Sequence, residues 1–221
     1  MNKIQLLPLR EAQTIAFKEE MQEAFQHGFD FQSSLLTLGR ADTSIALPSL
    51  NHSLESYYKD DNQMTNEREQ SQACLNYAER EGIRRSQWQV LPDKDFYQSL
   101  EAEGAEAYEA IDVDGQRVGG AIIAIDEENH RGELSFLYVK VGVQSKGIGQ
   151  TIWKAIEALH PEIEVWETCT PYFNRRNIHF YINRLGFHAV EFFNEHHPDP
   201  HMPEQFDQED GLFRFEKRMA D

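Results

Sequence analysis

Between Val139 and Gln150 the chain reads VKVGVQSKGIGQ, a strand-like end followed by glycines, a lysine and small polar residues, with a periodic apolar segment beginning at once. Strand, glycine loop and helix in that order gather free backbone N–H groups and the positive end of a helix dipole around one point, which favours phosphate. Two common phosphate loops do not fit. A Walker A loop needs Gly-x4-Gly-Lys-Ser/Thr, whereas Gly142 and Gly147 are followed by Ile148-Gly149, without the lysine or the metal-binding hydroxyl. A dinucleotide fingerprint needs a third glycine where the chain has Ile152. Two further groups of reactive type lie downstream. Cys169 has no catalytic histidine pattern beside it, which favours a buried structural cysteine over a covalent acyl carrier. HHPDPH places His196, His197, Asp199 and His201 close together, a composition that suits a transition metal, but its two prolines hide the geometry and no metal is assigned.

These residues need a scaffold, and hydrophobic periodicity supplies its outline. KIQLLPL reads as a first strand, and REAQTIAFKEEMQEAFQHGF as a helix with Ile15, Met21 and Phe25 near one face and Gly28 near its end. Residues 31–89 are polar and lose clear periodicity, apart from a helical stretch with Asn66 and Glu69 as a capping pair and Gly82 as its stop; they are treated as an insertion or lid. LPDKDFYQSLEAEG predicts a short helix. AEAYEAID, QRVGGAIIAID and GELSFLYVK predict an antiparallel meander, with Asp114-Gly115 in the first turn. After the glycine loop, Ile148, Ile152, Ala155, Ile156 and Leu159 recur at helical spacing up to His160-Pro161. EVWETCT is then a strand, NRRNIHFYINRL a helix stopped by Gly186, and FHAVEFF and GLFRFEKRM final strands.

With 221 residues, 40% of them hydrophobic, the chain suits one sizeable domain. Its longest apolar run is far short of the roughly 20 residues that span a bilayer, and the N-terminal stretch lacks a signal peptide's apolar region, so a soluble, untargeted protein is expected. Cys74 and Cys169 form neither a disulfide framework nor a zinc pattern, which fits a reducing cytoplasm. A formal charge of −17 matches nucleic acid poorly. The charge is uneven, however: residues 140–184 carry six Lys/Arg against four Glu, which leaves −19 on the remainder. A locally cationic window in an acidic chain suits an anionic ligand there.

Gln144-Ser145-Lys146-Gly147-Ile148-Gly149 resembles the Gln/Arg-x-x-Gly-x-Gly/Ala acyl-coenzyme A loop of the GNAT N-acetyltransferase family. NRRNIHFYINRLGF resembles that family's Asn-x-x-Ala-x-x-x-Tyr-x-x-x-Gly-Phe helix, with Asn174, Tyr181, Gly186 and Phe187 in register and Asn177 replacing the alanine. The element order between the two motifs also matches. The resemblance is strong over 133–187, rests on element order over 1–30 and 91–218, and is absent over 31–89. It implies an α/β (mixed α+β) fold, a twisted mixed sheet flanked by helices, whose two central parallel strands splay apart to admit pantetheine.

The resemblance also implies site residues. Backbone N–H groups from Gln144 to Gly149 would hold a pyrophosphate, with Lys146 as a mobile charge. Leu137 and Val139 would pair with pantetheine through their backbone, and Asn174 would contact the cofactor arm. An amine attacking acetyl-CoA must be neutral, and at a lysine-like pKa of about 10.4 only about one molecule in 2,500 is neutral at pH 7. Glu133 stands where one branch of the family carries its glutamate base, with Glu167 as runner-up; Tyr181 matches the tyrosine general acid, though it could also be a core residue. Trp166, Tyr172 and Phe173 are candidates to line the acceptor site. The leading expectation is an acetyl-CoA-dependent N-acetyltransferase without a metal, acting by direct attack in a ternary complex on a small amine or the amino group of a peptide or protein. The alternatives are a non-catalytic acyl-CoA-binding sensor or interaction module, and another phosphate-ligand α/β protein. No nucleic acid or membrane partner is expected, and assembly as a homodimer stays open.

Overall fold

Residues 118–123, VGGAII, are apolar or glycine at every position, and such a segment belongs in the middle of a sheet covered on both faces. In the computed structural model, which describes residues 3–38, 90–143, 147–172, 174–199 and 211–219 (with side chains only to residue 28 in the first stretch), those residues are all buried in strand β3 (Arg117–Asp126). β3 pairs antiparallel with β2 (Ala105–Ile111) and β4 (Arg131–Val139), giving the predicted meander. The first turn closes as its residues suggest: Asp112 Oδ1 accepts from the N–H groups of Asp114 and Gln116 at 3.0 and 2.9 Å, and Gly115 takes φ 75°.

β1 (Gln5–Pro8), β5 (Val165–Pro171), β6 (His188–Phe193) and β7 (Leu212–Arg218) complete a seven-stranded mixed sheet ordered β1-β2-β3-β4-β5-β7-β6. Among the described strands only β4 and β5 run parallel, because helix α3 (Ile148–Leu159) carries the chain back between them. A mixed α/β fold with splayed central strands is therefore what the chain adopts.

Each face has its own core. On one face Trp153 of α3 meets Trp166 of β5 edge-on at 5.1 Å, joined by Ile152, Ile156, Tyr181, Leu185, Phe187 and Phe215. On the other, Phe17 and Met21 of α1 (Thr14–Leu38) and Phe96 of α2 (Asp93–Glu101) pack on Ile122 and Tyr138. Glycine lets α1 come close: a methyl at Gly120 would sit 2.5 Å from the Tyr108 carbonyl oxygen and closer still to the Phe17 ring.

Three details differ from the sequence expectation. α1 does not stop near Gly28 but continues to Leu38, since a lone glycine costs a helix only about 1 kcal/mol and no proline follows. Its buried face is Phe17, Met21 and Ala24, spaced four and three apart, which leaves Ile15 65% exposed. On α3 the buried face takes in Trp153, and Leu159 is exposed.

The chain divides into two compact units, Met1–His27 with Gln89–Asp221, and Gly28–Trp88. The sheet and both cores belong to the first. In the second, the described part is the helical run from Gly28 to Leu38; the capping pair, Gly82 and most of the expected insertion lie outside the described residues. Among the described residues no helix is long and apolar enough to cross a membrane.

Candidate functional site

β4 and β5 begin side by side and then part. Arg131 is paired with Val165, Gly132 with Trp166 and Glu133 with Glu167, and there the pairing ends, although β4 runs on to Val139 and β5 to Pro171. β4 bends at this point: Ile123 opposes Leu134 and Ile122 opposes Phe136, so Ser135 is the extra residue of a β-bulge. Beyond it the Lys140 N–H bonds the Val118 carbonyl at 2.9 Å. Antiparallel alternation then turns the backbone groups of Leu137 and Val139 away from β3, toward the gap left by β5. At the fork itself the Leu134 carbonyl accepts from a side chain, the Thr168 hydroxyl, at 2.9 Å.

The loop after β4 leads into α3 through two left-handed glycines, Gly142 at φ 87° and Gly147 at φ 72°. Among the described residues a Cβ on Gly147 would meet nothing within 4 Å, so backbone conformation rather than crowding demands glycine. The Gly147 carbonyl accepts from Thr151 N and Oγ1, both at 3.0 Å. The N–H groups of Ile148, Gly149 and Gln150 therefore precede the first helical bond, and the first turn holds no acidic side chain. Gly149 is under a different constraint: its Cβ would lie 3.0 Å from Phe180 and 3.4 Å from Val139, so it fits the helix start against β4 and the tyrosine segment. Gln144, Ser145 and Lys146 lie outside the described residues.

Asn174 caps helix α4 (Arg175–His179) by accepting from the Asn177 N–H at 3.2 Å, which engages its carbonyl oxygen and leaves its amide NH2 as donor. The helix widens into a π-type segment, Phe180–Leu185, and ends at left-handed Gly186, as the sequence predicts. Such widened turns cluster at functional sites. This one contains Tyr181, buried among Phe180, Phe187 and Phe215. Burial pushes its phenol up to about 12, an effect that Thr168 partly offsets. It is thus both a core residue and a neighbour of the fork.

The opposite face of the fork is charged. Glu133, Glu167 and Glu216 stand in one row across β4, β5 and β7. Arg131 pairs with Glu167 and, at 3.2 Å, with Glu216. Arg214 reaches Glu167 at 3.4 Å, Glu216 at 3.1 Å and Glu191 at 3.0 Å. Glu133 stands apart: it is exposed, its hydrogen bond is from the Ser135 hydroxyl at 3.4 Å, and among the described residues it has no ion pair. Glu167 is held by two guanidiniums. The structure thus separates the two candidate bases, leaving the Glu133 carboxylate available.

Several expectations are corrected here. Cys169 is not buried: it is exposed on the charged face, where enclosure by neighbouring protein, followed by Glu133 and Asp199, pushes its thiol upward. A thiol raised in this way is a poor nucleophile. Trp166 cannot line an acceptor site, being fully buried against Trp153 and Gly132. Tyr172 packs on Phe192 at 6.2 Å, and Phe173 lies outside the described residues. In HHPDPH, the N–H groups of His196 and His197 bond Asn194 Oδ1 at 2.8 and 3.0 Å, while the His197 ring stacks on Phe193 and meets Glu191 at 2.9 Å. Among the described residues no group of three His, Cys, Asp or Glu is placed to hold a metal; His201 lies outside them.

Thr168, Arg131 and Arg214 escaped the sequence analysis. A signal for Thr168 was present, because alternation in WETCT puts Trp166, Thr168 and Thr170 on one face, and polar residues on a buried face have a reason to be there.

Comparison with known proteins bears on this arrangement. The family model described as acetyltransferase (GNAT) family matches residues 73–187, just over half of the chain. The uncharacterized protein YrkN of Bacillus subtilis is 45% identical over 137 residues, which cover 59% of this chain and 74% of that protein. An acetyltransferase of GNAT family from Staphylococcus aureus shares the fold with TM-score 0.53 at 12% identity, over 99% of this chain and 100% of that one. The spermidine N-acetyltransferase of Vibrio cholerae, crystallised with CoA and spermine, does so with TM-score 0.52 at 11% identity, over 97% and 95%.

Proposed function

Since the chain belongs to the acetyltransferase (GNAT) family, we propose that it transfers an acetyl group from acetyl-CoA to a primary amine by direct attack in a ternary complex. The observation that carries the proposal is the fork: parallel pairing ends between Glu133 on one face and Thr168 with Tyr181 on the other. The residues present fit coenzyme A. The N–H groups at the start of α3, unopposed by a first-turn carboxylate, suit a pyrophosphate. The backbone of Leu137 and Val139 faces the side on which a pantetheine arm would lie as an added strand, and the Asn174 amide offers it a donor. Gln144, Ser145 and Lys146 complete the proposed loop. Bound there, acetyl-CoA supplies an acyl group on a thiol leaving group.

The chain's own residues would manage protons. Glu133, without a counter-cation among the described residues, accepts the proton that the amine loses as its nitrogen bonds to the acyl carbon, directly or through one water. The carbon–sulfur bond breaks, and the thiolate takes a proton from Tyr181, which regains one from solvent. Net, one proton passes from nitrogen to sulfur. With its phenol pushed up to about 12, Tyr181 is protonated at neutral pH, and the apolar surroundings that raise it also raise the proton affinity of a thiolate leaving beside it.

The test is thiol release from acetyl-CoA over a panel of primary amines, beside calorimetric CoA binding. Gly147→Glu places a negative charge and a strained left-handed residue at the proposed pyrophosphate site and should abolish binding in a folded variant. Unchanged affinity would refute the loop assignment. Binding without release on any amine would favour the sensor.

A further inference from the structure

Glu20 of α1 reaches the end of β4 with a carboxylate that four donors share. Oε1 accepts from Lys140 Nζ at 2.9 Å and from Arg117 Nη2 at 3.4 Å. Oε2 accepts from Arg117 Nε at 2.8 Å and from the Tyr138 hydroxyl at 3.2 Å. The remaining Arg117 nitrogen, Nη1, goes to buried Glu109 at 2.5 Å. Two carboxylates thus balance two cations, as ions largely enclosed by protein require.

The place of this cluster in the sheet gives it a bearing on function. Tyr138 and Lys140 flank Val139, and the backbone groups of Leu137 and Val139 turn toward the gap where a pantetheine arm would lie. That stretch of β4 pairs with β3 on one side, while β5 has already parted from the other. Just past it the Lys140 N–H bonds the Val118 carbonyl, and the chain then enters a loop through left-handed Gly142. Strand ends with so few partners open easily. Here α1 holds the end from its own side, because the two side chains on either side of Val139 finish on one carboxylate. Packing of Tyr138 on Phe17 fixes a ring but does not reach Lys140 beyond it.

We infer that Glu20 is a positioning residue for the cofactor, fixing the Leu137–Val139 edge of β4 at the spacing an added strand requires. The inference rests on the acetyl-CoA function proposed above. Backbone hydrogen bonds to an added strand weaken steeply when donor and acceptor are misaligned, and an edge ordered beforehand binds better than one ordered on binding. The sign of the effect separates positioning from plain electrostatics. Glu20 is an anion held at the entry to the proposed pyrophosphate loop, so removing its charge should by field alone strengthen the hold on an anionic cofactor. Positioning requires the opposite.

The test is calorimetry on wild type and Glu20→Gln with two ligands. One is coenzyme A; the other is the phosphorylated adenosine diphosphate that remains of it without pantetheine, measured by displacement. Glutamine has one acceptor oxygen where glutamate has two, and it turns an NH2 toward the donors. Coenzyme A should bind the variant about 10-fold more weakly, the equivalent of about one net hydrogen bond, and the nucleotide as tightly as before or tighter. Equal losses for both ligands, or none for coenzyme A, would overturn the inference and leave the proposed function standing. A wild type that does not bind coenzyme A would refute that function and the inference with it.

A second comparison keeps stability apart from position. Tyr138→Phe together with Lys140→Met removes both bonds from β4 to Glu20. In that background Glu20→Gln should still lower the denaturation midpoint, since Arg117 loses its acceptor, yet weaken coenzyme A binding no further. A further weakening there would overturn the inference. If Glu20→Gln does not fold, Tyr138→Phe alone should weaken coenzyme A binding to a smaller extent and spare the nucleotide; unchanged affinity would overturn the inference equally.

Discussion

Replacing Glu133 with glutamine removes a base and little else, because the side chain is exposed and has no ion pair among the described residues. The stability cost should stay within about 0.5 kcal/mol, as at other surface positions. The kinetic cost should depend on the acceptor in a calculable way. An alkyl amine of pKa about 10.4 is neutral in about one molecule in 2,500 at pH 7, a barrier contribution of about 4.6 kcal/mol that a base can relieve. An α-amine of pKa about 8 is neutral in about one in ten, worth about 1.4 kcal/mol. Glu133→Gln should therefore lower kcat/KM for the alkyl amine about 100-fold or more, within the usual range for a general base, and for the α-amine about 10-fold at most. Both losses should shrink as pH rises and solvent supplies the neutral amine. The assay is steady-state thiol release with the two amines from pH 6 to about 9, and the affinity for acetyl-CoA should not change. Equal losses for the two amines, or none for either, would refute the assignment. Glu167→Gln is the control: it strips an anion from Arg131 and Arg214, and at its partial exposure should cost about 1 kcal/mol of stability without this dependence on the amine.

Tyr181→Phe should keep the fold and coenzyme A affinity while lowering kcat about 100- to 10,000-fold, less for an acyl donor with a more acidic thiol; undiminished turnover in a chemistry-limited assay would make Tyr181 a packing residue only. Gly120→Ala, which drives a methyl into the Phe17 ring and the Tyr108 carbonyl, should destabilise by about 1–3 kcal/mol, read as a lower midpoint in denaturant. Glu20 accepts from Lys140 at 2.9 Å, Arg117 at 2.8 Å and Tyr138 at 3.2 Å; burial pushes its carboxyl up, but Lys140 and Arg117 together hold it below the ordinary glutamate range. A depressed carboxyl stabilises the fold above about pH 4.5 and loses that contribution as pH falls through the folded value. Glu20→Gln should thus cost about 1–3 kcal/mol at pH 7 and progressively less below pH 4, and a difference that widens in acid would contradict the sign.

Most of the sheet was legible because its signals are local. The run around Val118–Ile123, the Asp114-Gly115 turn and the terminal Gly186 each act within a few residues, and each appears where the sequence placed it. What was misplaced depended on partners far along the chain. Ile15 lies outside because Phe17 and Met21 meet Tyr138 and Ile122, and periodicity alone does not choose among nearby helix faces. Cys169 lies outside because β5 presents Trp166 and Thr168 to its buried core. The loop and Tyr181 were reached through motif resemblance, whereas Thr168 follows no motif. Its hydroxyl finds its acceptor on Leu134, 34 positions away.

The extra residue in β4 also sets the phase of the strand. Before Ser135, the even-numbered Gly132 and Leu134 face the tryptophan core and the odd-numbered Glu133 faces away; after it, the odd-numbered Leu137 and Val139 turn to that core while Phe136 and Tyr138 face α1. One inserted residue thus puts the carboxylate and the later apolar side chains on opposite sides of a strand that would otherwise carry them together. It follows that the faces of this segment depend on Ser135 staying out of the pairing. Were Ser135 instead paired as an ordinary strand residue with the Leu137–Val139 end held in place, Glu133 would turn into the tryptophan core and Leu134 out to water, so a shift in reading phase of one residue would silence the site with every side chain of the proposed chemistry still present.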